Sequence, residues 1–237
     1  MRITLPECSP GAPDHRVPNE AACSRGTDGS LIELPDFLSP AVFQTLCSEV
    51  DGLVGIERSY VPTHKQGGTV AYSTLRRQAP GISEFYGSES LHGLISQRLG
   101  CKVKPTPMND ENSLSLLIYD RPGDRIGWHH DHDFYRGRHF TLLVPLVNRG
   151  STASGLSHAQ LSVRLPGQGE RVVDTGPNQA VLFEGARVLH KVSPILAGER
   201  RIVLSMTFCS DSHASRAQGI ARRVKDMAFF GVRALWT

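Results

Sequence analysis

The sequence predicts an all-β core, a sandwich or barrel, with two helices packed outside it. Three observations carry this. From about Leu114 onward, short β-branched or leucine-rich runs ("SLSLLIY", "FTLLVPLV", "AQLSVRL", "QAVLFEG", "RRIVLSMTF") alternate with clusters of Gly, Pro, Asn and Asp. That regular spacing is the signal of a closed or stacked antiparallel architecture. Two upstream segments instead carry apolar residues at helical spacing. Finally, 237 residues with 39% apolar and 21% charged side chains describe an ordinary globular chain able to bury one sizeable core.

Residues 1–30 are rich in Pro, Gly, Ser and Asp without periodicity and read as a flexible arm. Structure is expected to start at "LIELPDFLSPAVFQTLCSEVDGL", a strand followed by a helix. There Ser39 suits the N-cap, Pro40 the first helical position, and Val42, Phe43, Leu46 and Val50 form an apolar stripe. "HKQGGTVAYSTLRRQAPG" has turn signals around a short strand-like middle and reads as a candidate lid. A second helix is expected at "SESLHGLISQRLG", with Leu91, Leu94, Ile95 and Leu99 on one face and Gly100 ending it. The β-rich domain then runs to about residue 210. The segment 211–237 mixes Arg222, Arg223, Lys225 and Arg233 with Met227, Phe229, Phe230 and Trp236, and reads as a helix docking its aromatic side.

A net charge of +3 with scattered basic residues gives no broad electrostatic footprint for nucleic acid. Neither a secretory apolar core nor a run long enough to span a bilayer is present, so the expectation is a cytoplasmic protein without membrane or nucleic-acid partners. Five dispersed cysteines without a CxxC pair argue against a disulfide framework and a cysteine zinc site, leaving inert thiols as the expectation. "GQGERV" lacks the third glycine of a dinucleotide fingerprint.

The chemistry is concentrated in "GDRIGWHHDHDFYRGRHFTLLVPL". His129 and Asp131 form the one His-x-acid pair of the sequence, and strand alternation points both side chains to the same face. An imidazole and a carboxylate so placed can share a metal. A further histidine completes a two-histidine, one-carboxylate facial triad, the arrangement of non-haem Fe(II) oxygenases. The best candidate is His190, between two strand-like runs that a closed β architecture can bring beside the first pair. A rival register would use His130 and His132, and zinc is formally possible with these ligands.

With these pieces in place, the chain resembles the Fe(II)/2-oxoglutarate-dependent dioxygenases, in their prolyl-4-hydroxylase-like branch. The matching segments are "LPDFLSPAVF", "LLIYDRPGDRIGWHHD", "FTLLVPLV" and "HKVSPILAGER", spread over about residues 31–210. The resemblance implies a double-stranded β-helix, the jelly roll of cupin-like proteins, with iron on His129, Asp131 and His190. It assigns the far carboxylate of 2-oxoglutarate to Arg200 through the pattern Gly-x-Arg, with Arg201 as competitor. A guanidinium fork suits a carboxylate, and alternation places Arg200 on the face of Ile202 and Leu204. The resemblance also implies that Tyr119 hydrogen-bonds the cosubstrate and that Thr141 and Leu143 line its slot. Ordinary core packing is the alternative for all three. Trp128, His132, Phe134 and Arg76 are substrate-contact candidates, with rim or solvated positions as the alternative.

The implied reaction activates O2, converts 2-oxoglutarate to succinate and CO2, and oxidises an unactivated C–H bond of the substrate. In related halogenases Gly or Ala stands at the carboxylate position so that chloride can bind. Asp131 therefore favours hydroxylation. The acid- and base-rich stretch from Asp133 to Arg138 suggests a small polar substrate such as a free amino acid or a natural-product intermediate. The alternatives are a hydroxylase of prolyl or other protein side chains and, from another class, a non-catalytic β-helix binding module. An alkylation-repair demethylase is disfavoured because "SLLIYDRPGD" lacks Asn-x-Tyr. The sequence leaves the oligomeric state open.

Overall fold

The computed structural model describes residues 31–53, 56–61, 64–108 and 110–213. The arm 1–30 lies outside them, as does the expected helix in the tail beyond residue 213. Strand β1 (Leu31–Leu34) leads into α1 (Pro40–Asp51), which starts with Ser39 in extended backbone and Pro40 in the first turn. Leu46 and Val50 are its buried residues, with Val42 and Phe43 packed beside them. The other expected helix is present as α4 (Glu89–Leu99). The Ser88 hydroxyl accepts from the Leu91 N–H, and Gly100 ends the helix in the left-handed region at φ 65°, where a Cβ is disfavoured.

The stretch between these helices departs from the sequence expectation. "HKQGGTVAYSTLRRQAPG" is no lid. β2 (Glu57–Val61) and β3 (Lys65–Val70) pair as a hairpin, followed by α2 (Tyr72–Gln78) and α3 (Pro80–Gly87). β3 is buried in the middle of the sheet. The glycines and polar residues that suggest a loop are accommodated because β3 runs against its neighbours: a Cβ at Gly67 would come 3.2 Å from the Ile118 carbonyl oxygen.

The remaining strands are β4 (Lys104–Pro105), β5 (Leu114–Tyr119), β6 (Arg125–His129), β7 (His139–Arg149), β8 (Leu161–Leu165), β9 (Gly169–Val173), β10 (Ala180–Phe183), β11 (Leu189–Val192) and β12 (Arg200–Cys209). All pairings are antiparallel, in the order β1-β10-β7-β12-β5-β3-β6-β11-β8-β9, with β2 on β3 and β4 on β12. The sheet curls at β3, whose Gly68–Val70 pair with β5 while Lys65 and Gln66 pair with β6. The result is a jelly roll with helices on one side. The β5–β6 turn is fixed by fully buried Asp124, which accepts from Arg58 Nη2 at 2.6 Å and from the N–H groups of Asp120 and Arg121.

Alternation divides the core in two. Leu114, Leu116 and Ile118 of β5, Phe140, Leu142 and Val144 of β7, and Ile202, Leu204 and Met206 of β12 pack against the helices. Tyr119, Leu143, Val203, Val181 and Phe183 face inward, toward Leu161 and Val163 of β8 and Val192 of β11. Strands buried on both faces, as β7 and β12 are, read as nearly continuous apolar runs. Cys101 is disulfide-bonded, contrary to the expectation of inert thiols, whereas Cys47 and Cys209 are free. Among the described residues no helix is long and apolar enough to cross a membrane.

Candidate metal centre

β6 and β11 pair so that His129 lies directly opposite His190, and their ring centroids are 4.1 Å apart. Asp131 follows the end of β6, its N–H held by the Gly185 carbonyl at 2.9 Å. Its Oδ1 is 3.8 Å from His129 Nε2 and 3.6 Å from His190 Nε2. One ligand atom from each of the three residues lies within 4.8 Å of the others, a group able to hold a metal ion.

The two imidazoles are set for ligation by what their other nitrogens do. His129 Nδ1 donates to the Gly127 carbonyl and His190 Nδ1 to the Val188 carbonyl, each at 2.8 Å. A carbonyl only accepts, so the proton sits on Nδ1 and the Nε2 lone pair faces the carboxylate. Burial, reinforced by His190, pulls His129 down to about 4, which keeps the ring neutral. Burial works to raise Asp131, but His190, His129 and the Thr141 hydroxyl outweigh it and hold the carboxyl below its ordinary value. Thr141 Oγ1 donates to Asp131 Oδ2 at 2.6 Å. The Thr141 hydroxyl therefore orients the Asp131 carboxylate, a role the sequence did not suggest. Gly185 closes the other side, where a Cβ would collide with the Asp131 carboxylate and come 2.7 Å from Thr141 Oγ1.

The structure sets the two candidate arginines on opposite faces of β12. Arg200 does share a face with Ile202 and Leu204, but that face packs against the helices, and Arg200 Nη1 lies 3.8 Å from Asp51 at the end of α1. Arg201 points inward instead, 1% exposed, with its guanidinium carbon 5.5 Å from the centroid of the Tyr119 ring on the paired strand. Its Nε and Nη2 are buried and have no hydrogen-bond partner among the described residues. Burial disfavours its charge. A guanidinium in such a place suits a bound carboxylate. Tyr119 is equally enclosed and burial raises its phenol, so the hydroxyl keeps its proton. Leu143 lies in the same inward cluster as Tyr119.

A cavity of about 120 Å³ opens beside the triad. Of the expected substrate contacts His132 lines it, stacked on Phe134 with centroids 5.7 Å apart. Phe134 itself is buried with Tyr135 and Cys209. Trp128 alternates with His129 and lies on the opposite face, with Arg164 at 4.3 Å and Lys191 at 4.5 Å over its ring, so it does not reach the site. Arg76 is exposed in the last turn of α2, away from the cavity lining. His64, Lys65, Asp110, His139, Ser205 and Thr207 do line it; His64 and Lys65 fall in the segment expected to close over the substrate, and the sequence reading missed the other four. Burial pushes Lys65 down to about 8. Parity could have found His139, two residues before Thr141. Asp110 lies in a turn without periodicity and gave no such signal.

Three comparisons bear on this geometry. A family model described as Halogenase D matches residues 20–229. A comparison with curated proteins finds no match. Among solved structures, a prolyl hydroxylase from Trichoplax adhaerens, in complex with a hypoxia inducible factor oxygen degradation domain peptide fragment, has a TM-score of 0.59 at 19% identity, covering 77% of this chain and 84% of that one. A prolyl-4-hydroxylase of Pseudomonas putida gives 0.57 at 18%, covering 76% and 92%. The epimerase SnoN in complex with Fe3+, alpha ketoglutarate and nogalamycin RO gives 0.62 at 15%, covering 85% and 87%. At these identities the likeness is one of fold.

Proposed function

The chain belongs to the Halogenase D family, and from that premise we propose that it is an Fe(II)- and 2-oxoglutarate-dependent oxygenase that hydroxylates an unactivated C–H bond of a small polar substrate, such as a free amino acid or a natural-product intermediate. The observation that carries this reading is a complete three-ligand set with both imidazole Nε2 atoms turned to Asp131. When bound, Fe(II) with 2-oxoglutarate supplies O2 activation coupled to loss of CO2 and formation of succinate. His129, Asp131 and His190 would hold the metal. Arg201 takes the far carboxylate of 2-oxoglutarate beside the protonated Tyr119 hydroxyl. Supporting this are the unpartnered N–H groups of Arg201 and its place on the strand paired with Tyr119. Thr141 and Gly185 keep the Asp131 carboxylate in the position that chloride needs in a halogenase.

The family description favours halogenation as a second reading, and Asp131 opposes it. Anaerobic titration with Fe(II) and 2-oxoglutarate is expected to develop the weak visible charge-transfer band of the chelate. Turnover in chloride buffer, followed by mass spectrometry, is then expected to yield product heavier by one oxygen atom. Absence of the band overturns the oxygenase reading, and a chlorinated product overturns hydroxylation.

A further inference from the structure

The two strands that carry the imidazole ligands do not pair regularly. His190 stands opposite His129 and Val192 opposite Ile126, so Gly127 and Trp128 of β6 together face the single residue Lys191 of β11. This is a β-bulge, which inserts one extra residue, disrupts the ladder locally and re-aims the side chains beside it. The bulge shapes the metal centre directly. The Gly127 N–H donates to the His64 carbonyl at 2.6 Å, and the Gly127 carbonyl in turn accepts from His129 Nδ1. Trp128 is turned to the outer face and takes no part in the cavity lining.

On that outer face the Trp128 ring is clamped. The guanidinium carbon of Arg164 stands 4.3 Å from the ring centroid and Lys191 Nζ 4.5 Å from it. Lys191 follows His190 on β11, whereas Arg164 comes from β8, so its side chain spans β11 to reach β6. Glu170 of β9 fastens both cations, its carboxylate 2.7 Å from Lys191 Nζ and 3.5 Å from Arg164 Nη2. Four neighbouring strands thus give one residue each to a cluster placed behind His129 and His190. Singly, such contacts are weak at half-exposed positions. Here both cations grip one ring at the point where the β6–β11 ladder is broken, and side-chain contact stands in for the missing regular pairing.

Resting on the oxygenase reading above, we propose that Trp128 is a positioning residue for the metal: held by Lys191 and Arg164, it keeps the β6 bulge in the form that turns His129 Nε2 to Asp131 beside His190. Two simpler roles predict other outcomes. Loss of a purely structural contact lowers the melting temperature but leaves the metal affinity of the folded protein alone. Electrostatics alone gives the opposite sign, because removing two cations behind a divalent metal tightens its binding.

The test is calorimetric titration of the full chain with Mn(II), well below the melting temperature of each variant, beside far-ultraviolet circular dichroism. Trp128→Leu is expected to bind Mn(II) about tenfold more weakly, the lower end of an outer-shell disturbance. Trp128→Phe keeps an aromatic face for the cations and is expected to stay within about threefold of wild type. The double variant Arg164→Gln with Lys191→Gln is expected to bind about fivefold more weakly. Adding Trp128→Leu to that pair is expected to weaken binding little further, because the three residues act as one unit. As a control, Arg171→Gln breaks a similarly exposed ion pair between β9 and Glu33 of β1 and is expected to leave the affinity unchanged. The proposal is overturned by unchanged or tighter binding in the double variant, by full additivity with Trp128→Leu, or by equal weakening in Trp128→Phe and Trp128→Leu. If Trp128→Leu does not fold, the sign of the change in the double variant decides alone. A wild type that binds no Mn(II) fails the oxygenase reading, and the proposal with it, before any variant is measured.

Discussion

At the scale of residues, Arg200 and Arg201 show how one position decides a site. Both stand at the start of β12, yet one meets Asp51 near the surface and the other is enclosed with Tyr119. If Arg201 holds 2-oxoglutarate, Arg201→Met removes a buried charge whose N–H groups await a partner. Its 2-oxoglutarate affinity is expected to fall by roughly 100-fold, in keeping with about 2–5 kcal/mol for truncating a buried charge pair. The ligand-free protein is expected to melt no lower, because an uncompensated buried guanidinium is exchanged for an apolar side chain of similar length. Arg200→Met should keep affinity within about threefold, as expected of a half-buried cation near the surface with little net worth. Titration followed by the visible band, together with thermal denaturation of the ligand-free variants, checks both. A larger loss in Arg200→Met than in Arg201→Met restores the assignment first read from the sequence.

At the scale of elements, the site depends on the turn between β10 and β11 as much as on the strands. Glu184 accepts from Arg138 Nη2 at 2.8 Å and lies 3.2 Å from Arg187 Nε, which braces this turn, and Gly185 then offers its carbonyl to Asp131. Gly185→Ala pushes a methyl into the Asp131 carboxylate. Metal affinity is expected to fall about 10- to 100-fold with the fold intact, the usual size of an outer-shell disturbance. Calorimetric titration with Mn(II), beside far-ultraviolet circular dichroism, measures it, and unchanged affinity contradicts this packing. Periodicity and caps made the outer elements legible: α1 begins at Pro40, α4 ends at Gly100, and the strand runs from Leu114 onward are where the sequence placed them. The spacing of His129, Asp131 and His190 likewise pointed to three residues that the fold brings together. The strand-like middle of β3 was legible but its central place was not, because its polar and glycine-rich sequence sits between β5, β6 and β2, a context set by distant pairing. The inward place of Arg201 was hidden for a related reason. Alternation tells which residues share a face, but in a strand buried on both sides it does not tell which face holds the cavity.

At the scale of the whole molecule, the triad joins parts of the chain that only the curled sheet brings together. His129 and Asp131 sit at the end of β6, and His190 reaches them because β11 pairs with β6 across an intervening stretch that contains β7 to β10. Arg201 comes from β12, on the other half of the sheet. An unfolded chain presents no such cluster, so metal and 2-oxoglutarate are expected to bind the native state selectively and to stabilise it by mass action. Ligand at 100 times its dissociation constant adds about 2.7 kcal/mol. For a domain of this size each kcal/mol raises the melting temperature by about 2–4 °C, so a rise of roughly 5–10 °C is expected when Mn(II) and 2-oxoglutarate are added. Chelation by EDTA should reverse it. In Asp131→Ala the metal-dependent part of the rise should be largely lost, because the two imidazoles alone are a weak pair of neutral ligands. Differential scanning fluorimetry over a series of Mn(II) concentrations decides the matter. A melting temperature indifferent to metal in the wild type means that the three residues, although brought together, do not act as one binding site.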